Sequence, residues 1–202
     1  MMVKICGITT RDDARAAIDA GAGAIGLNFC RQSPRYLSPQ EAADIASVIP
    51  EGVYKVGVFV DDDEETIAAI AREAGLDIAQ LHGGSQCVSL PSWRAVPVRN
   101  TIDLTEFEDP QAGAFLLDAA SGKQHGGTGQ TFPWFLARHA ARLTGKRIIV
   151  AGGLDESNVQ AAIAEAQPWG VDVCSRIESA PGRKDHRKME RFIQAALTAE
   201  KS

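Results

Sequence analysis

The stretch RIIVAGGLDESNVQAAIAEAQPWGVDVCS, residues 147–175, contains two short apolar runs with a helical segment between them. The first run, 147–151, is rich in β-branched residues and is followed by Gly152 and Gly153, and the second run occupies 170–174. Short apolar runs on either side of an amphipathic segment are typical of parallel strands joined by a helix. The stretch therefore predicts a βαβ unit, from which parallel sheets are built.

The same alternation runs through the rest of the chain. Polar residues that favour helix starts and glycines that favour helix ends fall between the apolar runs. The predicted strands are 3–6, 24–29, 54–60, 78–81, 95–99, 114–118, 147–151 and 170–174. The start signals are Thr10, Ser38-Pro39 with Glu41, and Asp61–Asp63, and the end signals are Gly21, Gly75 and Gly145.

Eight strands in this order fit a closed barrel or an open doubly wound sheet, and periodicity alone does not separate the two. The strand ends favour the barrel, because polar residues follow apolar strands there and barrels carry their chemistry at that end. We predict an α/β fold, a single-domain (β/α)8 TIM barrel over 1–202. Segment 100–113 is polar and contains Pro110, so we expect a shortened or missing fifth helix.

Composition excludes several classes of protein. A formal net charge of -5 argues against a nucleic-acid binder, which needs an excess of clustered Lys and Arg. The first residues lack the apolar stretch of a secretory signal and no run is long enough for a membrane span, so we expect a cytoplasmic protein. The four cysteines form no C-x-x-C pair and no zinc-type spacing with histidine, so neither a disulfide framework nor a metal site is predicted.

The turns after the last two strands predict an anion site. Gly152 and Gly153 precede a helix start, and Cys174 and Ser175 open a second turn after the eighth strand. Backbone N–H groups at a helix start can face an anion, and these two loops commonly bind phosphate in barrels. The alternative is that the two glycines only make a tight turn.

Two strand ends carry groups suited to proton transfer. Asp118 ends an apolar strand, where partial desolvation would raise its pKa and let it act as an acid. Cys6 ends the first strand ahead of a helix start, where a thiol loses its proton more easily and can act as a base. An aspartate that braces a loop and an inert buried cysteine are the structural alternatives.

Three further features are candidates for substrate binding. Arg35 can hold a carboxylate through two parallel hydrogen bonds, or lie solvated at the surface. His82, at the end of the fourth strand, can donate to a substrate or satisfy a loop carbonyl. The glycine-rich segment 125–134 predicts a mobile loop in which Phe132 and Trp134 either pack or contact an aromatic substrate.

Seven motifs, spread in order from residue 3 to about 195, together resemble the phosphoribosylanthranilate isomerase family. The resemblance covers nearly the whole chain and falls at the predicted loops of the barrel. It is carried by KICGIT at 4–9, SPRYLSPQEA at 33–42, VGVFVD at 56–61, QLHG at 80–83, LLDA with GGTGQTF, AGGL and ESAPGRKD.

The resemblance implies an Amadori rearrangement in tryptophan biosynthesis, without a metal or an organic cofactor. It implies that Asp118 protonates the ribose ring oxygen, that Cys6 removes the C2 proton, and that Arg35 holds the anthranilate carboxylate. Backbone groups around Gly152, Gly153, Cys174 and Ser175 would hold the phosphate.

One departure from the family affects the phosphate loop. Arg176 stands where the family pattern S-S-G-V-E has glycine. We expect its side chain to face solvent or pair with Glu178; the alternative is that it swings over the phosphate as an added clamp. Cys30 also replaces a commonly aromatic residue. The alternatives are a related sugar-phosphate isomerase, an indole-forming synthase and a catalytically silent barrel that binds a phosphate metabolite. The synthase is disfavoured because no strand ends in a lysine suited to that chemistry. The expected partner is a small-molecule substrate, bound by a monomer or a homodimer.

Overall fold

Eight parallel strands close into a barrel in the computed structural model, which describes residues 1–83, 88–119 and 131–199. Each strand pairs with the next along the chain, and β8 returns to pair with β1. The strands are β1 (Met2–Cys6), β2 (Ala24–Asn28), β3 (Tyr54–Val60), β4 (Ile78–His82), β5 (Ser92–Val98), β6 (Ala112–Ala119), β7 (Ile148–Val150) and β8 (Gly170–Val173). The predicted barrel is therefore confirmed.

Six α-helices cover the outside of the described barrel. They are α1 (Arg11–Ala20), α2 (Pro39–Ala46), α3 (Glu64–Ala74), α4 (Phe135–Thr144), α5 (Val159–Ala166) and α6 (His186–Ala199). The predicted ends are confirmed, since Thr10 and Asp63 cap α1 and α3, and Ser38 with Glu41 forms a capping box on α2. Helices α1, α3 and α4 end at glycines in the left-handed region, where a side chain would be strained: Gly21, Gly75 and Gly145.

The fifth connection is shortened, as expected. A single 3₁₀ turn, Leu104–Phe107, stands in place of a helix after β5. It covers the outer face of β6 with one aromatic side chain, because Phe107 is buried and its ring lies 5.0 Å from that of Phe115. The fourth connection is also short, and its described residues, 83 and 88–91, form no helix.

One strand begins earlier than predicted. We expected the fifth strand at 95–99, whereas β5 begins at Ser92. The added residue Trp93 fills the barrel interior, where its ring lies 5.9 Å from that of Trp169 in an edge-to-face contact. Arg94, a polar neighbour of Trp93, interrupts the apolar run, so the start of this strand is not recognised from the sequence pattern.

Alternate residues of the strands form two separate cores, because successive side chains point to opposite faces. One core lies between the sheet and the helices and includes Ile5, Leu27 and Phe59. The other fills the barrel, with Val56, Leu116 and similar residues. The side chains of Cys6 on β1 and Asp118 on β6 therefore face the rim of the barrel interior rather than the helices.

A short β9–β10 hairpin, Glu178–Ala180 with Arg183–Lys184, follows β8 and folds back over the start of the chain. The backbone N–H of Lys184 donates to the carboxylate of Asp13 in α1. His186 also contacts Asp13, with Nε2 2.7 Å from Oδ1. These contacts hold the hairpin beside the loop that follows β1.

Candidate active site

Cys6 lies at the carboxyl end of β1 and points into the barrel. It pairs with Gly26 of β2, and a Cβ atom at Gly26 would lie only 2.9 Å from the Cys6 sulfur. The strand before it carries Lys4 on the same face, two residues below. Cys6 is buried, with 7% of its surface exposed, so its sulfur meets the charges of the barrel rather than bulk water.

The environment of Cys6 favours a thiolate. A hydrogen bond with the Cys174 thiol lowers the pKa of Cys6 well below that of an ordinary thiol; burial opposes this shift, and the charges of Lys4 and Lys184 add to it. The low pKa therefore has a tertiary cause. The helix start on which the sequence interpretation relied lies at Arg11, several residues further along the chain.

Asp118 lies one residue before the end of β6, partly buried at the same rim. The pKa of Asp118 is raised to about 6, mainly by burial and also by the charge of Cys6, against the opposing charge of Lys4. Gly152 is close: a Cβ atom there would lie 2.7 Å from Asp118 Oδ1, and its φ of 79° also favours glycine. The glycine at 152 therefore allows the β7 loop to approach the carboxyl group.

Arg35 forms an ion pair that the sequence did not indicate. Its Nε and Nη2 donate to the two carboxylate oxygens of Glu178, at 2.7 Å and 2.6 Å. Its side chain is 14% exposed and that of Glu178 is 5% exposed, so the solvated alternative for Arg35 is wrong. The aliphatic part of Arg35 covers Gly7, where a Cβ atom would lie 2.4 Å from Arg35 Cδ. This packing brings the guanidinium to the loop that follows Cys6.

Lys184 is a second cation that sequence analysis missed. Its buried ammonium lies 3.0 Å from Glu178 Oε1, 3.1 Å from the carbonyl oxygen of Cys174 and 4.0 Å from the Cys174 sulfur. Arg35 and Lys184 thus share one carboxylate. The pKa of Glu178 is lowered: burial opposes the shift, but hydrogen bonds from Arg35 and the charge of Lys184 outweigh it.

The two predicted phosphate loops lie side by side, since β7 pairs with β8. Gly152 and Gly153 both adopt positive φ, and the carbonyl of Gly153 accepts a hydrogen bond from Asn158 at the start of α5. Cys174 and Ser175 follow β8, where residues 175–177 form one 3₁₀ turn. The strands therefore bring both loops to the rim that carries Cys6 and Asp118.

Arg176 does not pair with Glu178, which contradicts that part of the sequence expectation. Glu178 is already held by Arg35 and Lys184, and Arg176 Nη1 instead lies 3.8 Å from Asp155 Oδ2. The Arg176 side chain is 48% exposed. Its backbone also avoids positive φ, which among described non-glycine residues occurs only at Asp61 and Gln167. The turn after β8 therefore does without the conformation that glycine would supply.

His82 lies at the end of β4, across the rim from β8. Its Nε2 is 2.8 Å from the amide nitrogen of the buried Gln80, and its carbonyl oxygen accepts from Asp61 N–H. His82 is thus separated from the Cys6 and Arg35 side of the rim.

The glycine-rich segment lies mostly outside the described residues, which resume at Thr131. Of its aromatic residues, Phe132 is buried in the core between sheet and helices and Trp134 packs against that core. Packing is therefore the observed role of both. Within residues 1–83, 88–119 and 131–199, no cluster of three or more metal-ligating side chains occurs, and no helix is long and apolar enough to cross a membrane.

A closed parallel barrel with titratable groups at the carboxyl rim defines the class of (β/α)8-barrel proteins that place their chemistry there. Residues 3–195 match the family model for N-(5'-phosphoribosyl)anthranilate (PRA) isomerase. The chain belongs to the PRA isomerase family.

Curated relatives and solved structures agree with this family. The N-(5'-phosphoribosyl)anthranilate isomerase of Solibacter usitatus is 49% identical over 203 residues, covering 98% of each chain. That of Pelobacter propionicus is 44% identical over 199 residues, covering 96% of this chain and 94% of the relative. The crystal structure of the Thermus thermophilus enzyme superposes with a TM-score of 0.89 at 33% identity, covering 98% of this chain and 99% of that one.

A further solved structure shows a PRA isomerase in complex with reduced 1-(o-carboxyphenylamino)-1-deoxyribulose 5-phosphate. It superposes with a TM-score of 0.84 at 33% identity and covers 98% of this chain and 99% of that one. The bound compound carries a carboxylate at one end and a phosphate at the other.

Proposed function

We propose that this PRA isomerase converts N-(5'-phosphoribosyl)anthranilate to 1-(2-carboxyphenylamino)-1-deoxyribulose 5-phosphate in tryptophan biosynthesis, with Asp118 as acid and Cys6 as base. The observation that carries the assignment is the placement of Cys6 and Asp118 at the carboxyl ends of β1 and β6, on one rim of the barrel, where their pKa values are displaced in opposite directions. Burial raises the pKa of Asp118 to about 6, while Cys174 and the nearby lysines lower that of Cys6. Groups displaced in this way suit a proton donor and a proton acceptor at neutral pH.

The reaction begins with ring opening. Asp118 donates its proton to the ribose ring oxygen, the bond from that oxygen to C1 breaks, and the nitrogen lone pair forms a C1=N double bond. The Cys6 thiolate then removes the proton from C2, and the C–H electrons form a C1=C2 double bond while the C1=N electrons return to nitrogen. The enolamine becomes the ketone when C1 gains a proton and the C2 hydroxyl loses one. Atoms and electrons balance within the substrate.

Arg35 is the proposed partner of the anthranilate carboxylate. Two of its five N–H groups are taken by Glu178, which leaves three donors in the same plane. The bidentate contact with Glu178 fixes the plane of the guanidinium beside Cys6, so the remaining donors are oriented before substrate arrives. A planar carboxylate on an aromatic ring matches that arrangement.

The phosphate is proposed to bind between the β7 and β8 loops, through backbone groups around Gly152, Gly153, Cys174 and Ser175. Support comes from the adjacency of the two loops and from the absence of side chains at the two glycines, which allows close approach. His82, on the opposite side of the rim, is proposed to contact the substrate away from the phosphate.

A cytoplasmic location suits this chemistry. The proposed base is a free thiol beside a second free thiol, and a reducing compartment keeps both reduced. The oligomeric state expected for the chain is a monomer or a homodimer; the related enzyme of Thermotoga maritima has been described as dimeric.

The test is an assay of phosphoribosylanthranilate turnover, in which the loss of anthranilate fluorescence is the signal measured. We expect Cys6→Ala and Asp118→Asn each to lower kcat by about 10²–10⁴-fold, because each removes one partner of the proton transfers. Affinity for the product analogue should stay nearly constant in both. Near-wild-type kcat in either variant contradicts the role of that residue. Binding without turnover by the wild type would instead indicate a silent phosphate-binding barrel.

A further inference from the structure

Cys6 and Cys174 meet across the seam where the barrel closes. Strands β1 and β8 pair in parallel with Lys4 opposite Asp172 and Ile5 opposite Val173, so the next step places Cys6 beside Cys174. Lys4 and Asp172 share one face and touch at 2.7 Å, and the thiols lie two residues further on that face. Neighbouring strands are about 4.8 Å apart, a separation that sulfur atoms on Cβ can bridge.

Glycines leave room for the two sulfur atoms. A Cβ atom at Gly7 would lie 3.0 Å from the Cys174 sulfur, and one at Gly26 would lie 2.9 Å from the Cys6 sulfur. A side chain at either glycine would therefore crowd the sulfur beside it. Both cysteines are free thiols rather than a disulfide.

We propose that Cys174 is a positioning residue whose S–H donates a hydrogen bond to the Cys6 sulfur and aims that sulfur at the substrate carbon. The proposal rests on the proposed role of Cys6 as the base. The Cys174 thiol does not touch the reacting atoms itself, and its function is carried through Cys6.

Charges around the pair favour one negative sulfur. Arg35 and Lys184 supply two positive charges beside Cys174, and Glu178 supplies one negative charge. Below the pair, Lys4 and Asp172 neutralise one another. Asp118 on β6 faces the same rim; it is the proposed acid and carries its proton when it acts. The net charge of the side chains next to the two thiols is therefore +1.

The shared proton belongs on Cys174. The contact with Cys174 lowers the pKa of Cys6, and the same contact raises the pKa of Cys174, with burial acting in the same direction on Cys174. An ordinary thiol is only a few per cent ionised at neutral pH, so a donor that stabilises the thiolate increases the active fraction of the enzyme.

The first test compares Cys174→Ala, which removes the donor, with Cys174→Ser, which keeps one. In Cys174→Ala we expect the acidic limb of the kcat/KM profile to move to higher pH by about one to two units, the size typical of a hydrogen bond to a charged group. In Cys174→Ser the limb should stay close to its wild-type position. A packing role would instead lower kcat/KM equally at every pH and leave the limb unmoved, and that result overturns the proposal.

The second test measures the Cys6 thiolate directly, by its ultraviolet absorbance as a function of pH in the intact enzyme. Subtracting the curve of Cys6→Ala isolates the Cys6 signal, and Cys30→Ala serves as the control for a thiol lost elsewhere. The midpoint should rise in Cys174→Ala and not in Cys30→Ala. If Cys174→Ala does not fold, Cys174→Val removes the donor while filling the space, and the same shift is expected.

The two measurements separate this inference from the function on which it rests. If Cys6→Ala retains near-wild-type kcat, the assignment of the base fails, whatever the titration shows. If Cys6→Ala is inactive but the Cys6 midpoint is unchanged in Cys174→Ala, the base stands and the role of Cys174 is wrong.

Discussion

At the scale of single residues, burial raises the pKa of both proposed catalytic groups, yet the two pKa values are displaced in opposite directions. Desolvation raises the pKa of Asp118. For Cys6, the hydrogen bond from Cys174 and the charges of two lysines outweigh desolvation and lower the pKa. Each pKa is therefore displaced in the direction that its proposed role requires, although both groups lie at one rim. The difference comes from their immediate neighbours.

The pH dependence of the rate should report the pKa of Asp118. Because the acid must carry its proton, we expect kcat/KM to fall as pH rises above about 6, by about tenfold per unit. Asp118→Asn has no proton to lose there, so its residual kcat/KM should lack this basic limb. The measurement is kcat/KM across the pH range for both proteins. A limb that persists at the same pH in Asp118→Asn would show that another group titrates.

Arg35→Ala should lose about 10–100-fold in kcat/KM with the true substrate, because a charge-assisted contact to the carboxylate is removed. The fold should tolerate the change, since Lys184 still holds Glu178 at 3.0 Å. An analogue without the carboxylate should lose much less. Arg31→Ala is the matched control, because Arg31 lies in the same loop but over the ring of Tyr36. Equal losses with both substrates would contradict the assignment of Arg35.

At the scale of elements, the turn after β8 shows how a loop accommodates a residue that breaks the family pattern. Residues 175–177 form a 3₁₀ turn that needs no positive φ, so Arg176 fits without the strain that a left-handed position would cause. Its half-exposed side chain reaches Asp155 in the neighbouring loop. The arginine thus links the β7 and β8 loops, which we propose to hold the phosphate.

Arg176→Gly should leave KM within a few fold and leave its salt dependence nearly unchanged, because an exposed ion pair contributes at most about 1 kcal/mol. Arg176→Ala distinguishes loss of the side chain from the added backbone freedom of glycine. Steady-state kinetics at low and high salt would measure both. A tenfold rise in KM, about 1.4 kcal/mol if KM follows affinity, would mean that Arg176 clamps the phosphate.

At the scale of the whole molecule, one buried ion pair lies across the seam that closes the barrel. Lys4 on β1 and Asp172 on β8 are 2.7 Å apart, with the Lys4 side chain fully buried. Burial alone would lower the pKa of Lys4, but the charge of Asp172 outweighs it and raises the pKa, so Lys4 stays charged. Removing one partner leaves a buried charge uncompensated.

Lys4→Met should lower the free energy of unfolding by about 3–5 kcal/mol at neutral pH. Burial already raises the pKa of Asp172 to about 7, and loss of the lysine charge removes a contribution that lowers it. The folded variant then holds a proton that the unfolded chain releases above its ordinary pKa of about 3.9, so the stability of the variant falls as pH rises from about 4 through the folded pKa.

Denaturant unfolding at about pH 5 and at about pH 8 measures this effect, with the larger loss expected at the higher pH. In the double variant Lys4→Met with Asp172→Leu the titrating group is absent, so its difference from wild type should lack that added loss at high pH. An equal loss for Lys4→Met at both pH values would contradict a raised pKa for the unpaired Asp172.

Much of the barrel can be predicted from the sequence because the signals for helix ends and strands lie within short segments. The cap at Thr10, the capping box at Ser38 and the helix-ending glycine at Gly75 each act within a turn of the chain, and all are confirmed. Apolar runs likewise reveal strands wherever both faces are buried. β5 was misplaced at its start because Trp93, which fills the barrel, stands among polar neighbours.

The sequence by itself determined the order of the elements, the family and which strand ends reach the rim, because periodicity, caps and motifs are properties of short segments. Only the tertiary structure decided the partners: Glu178 for Arg35, Lys184 for Glu178, and Cys174 for Cys6. Arg35 and Glu178 are 143 positions apart in the chain. Such contacts exist only once β8 closes on β1, and their pKa effects follow from that closure and from the burial it produces.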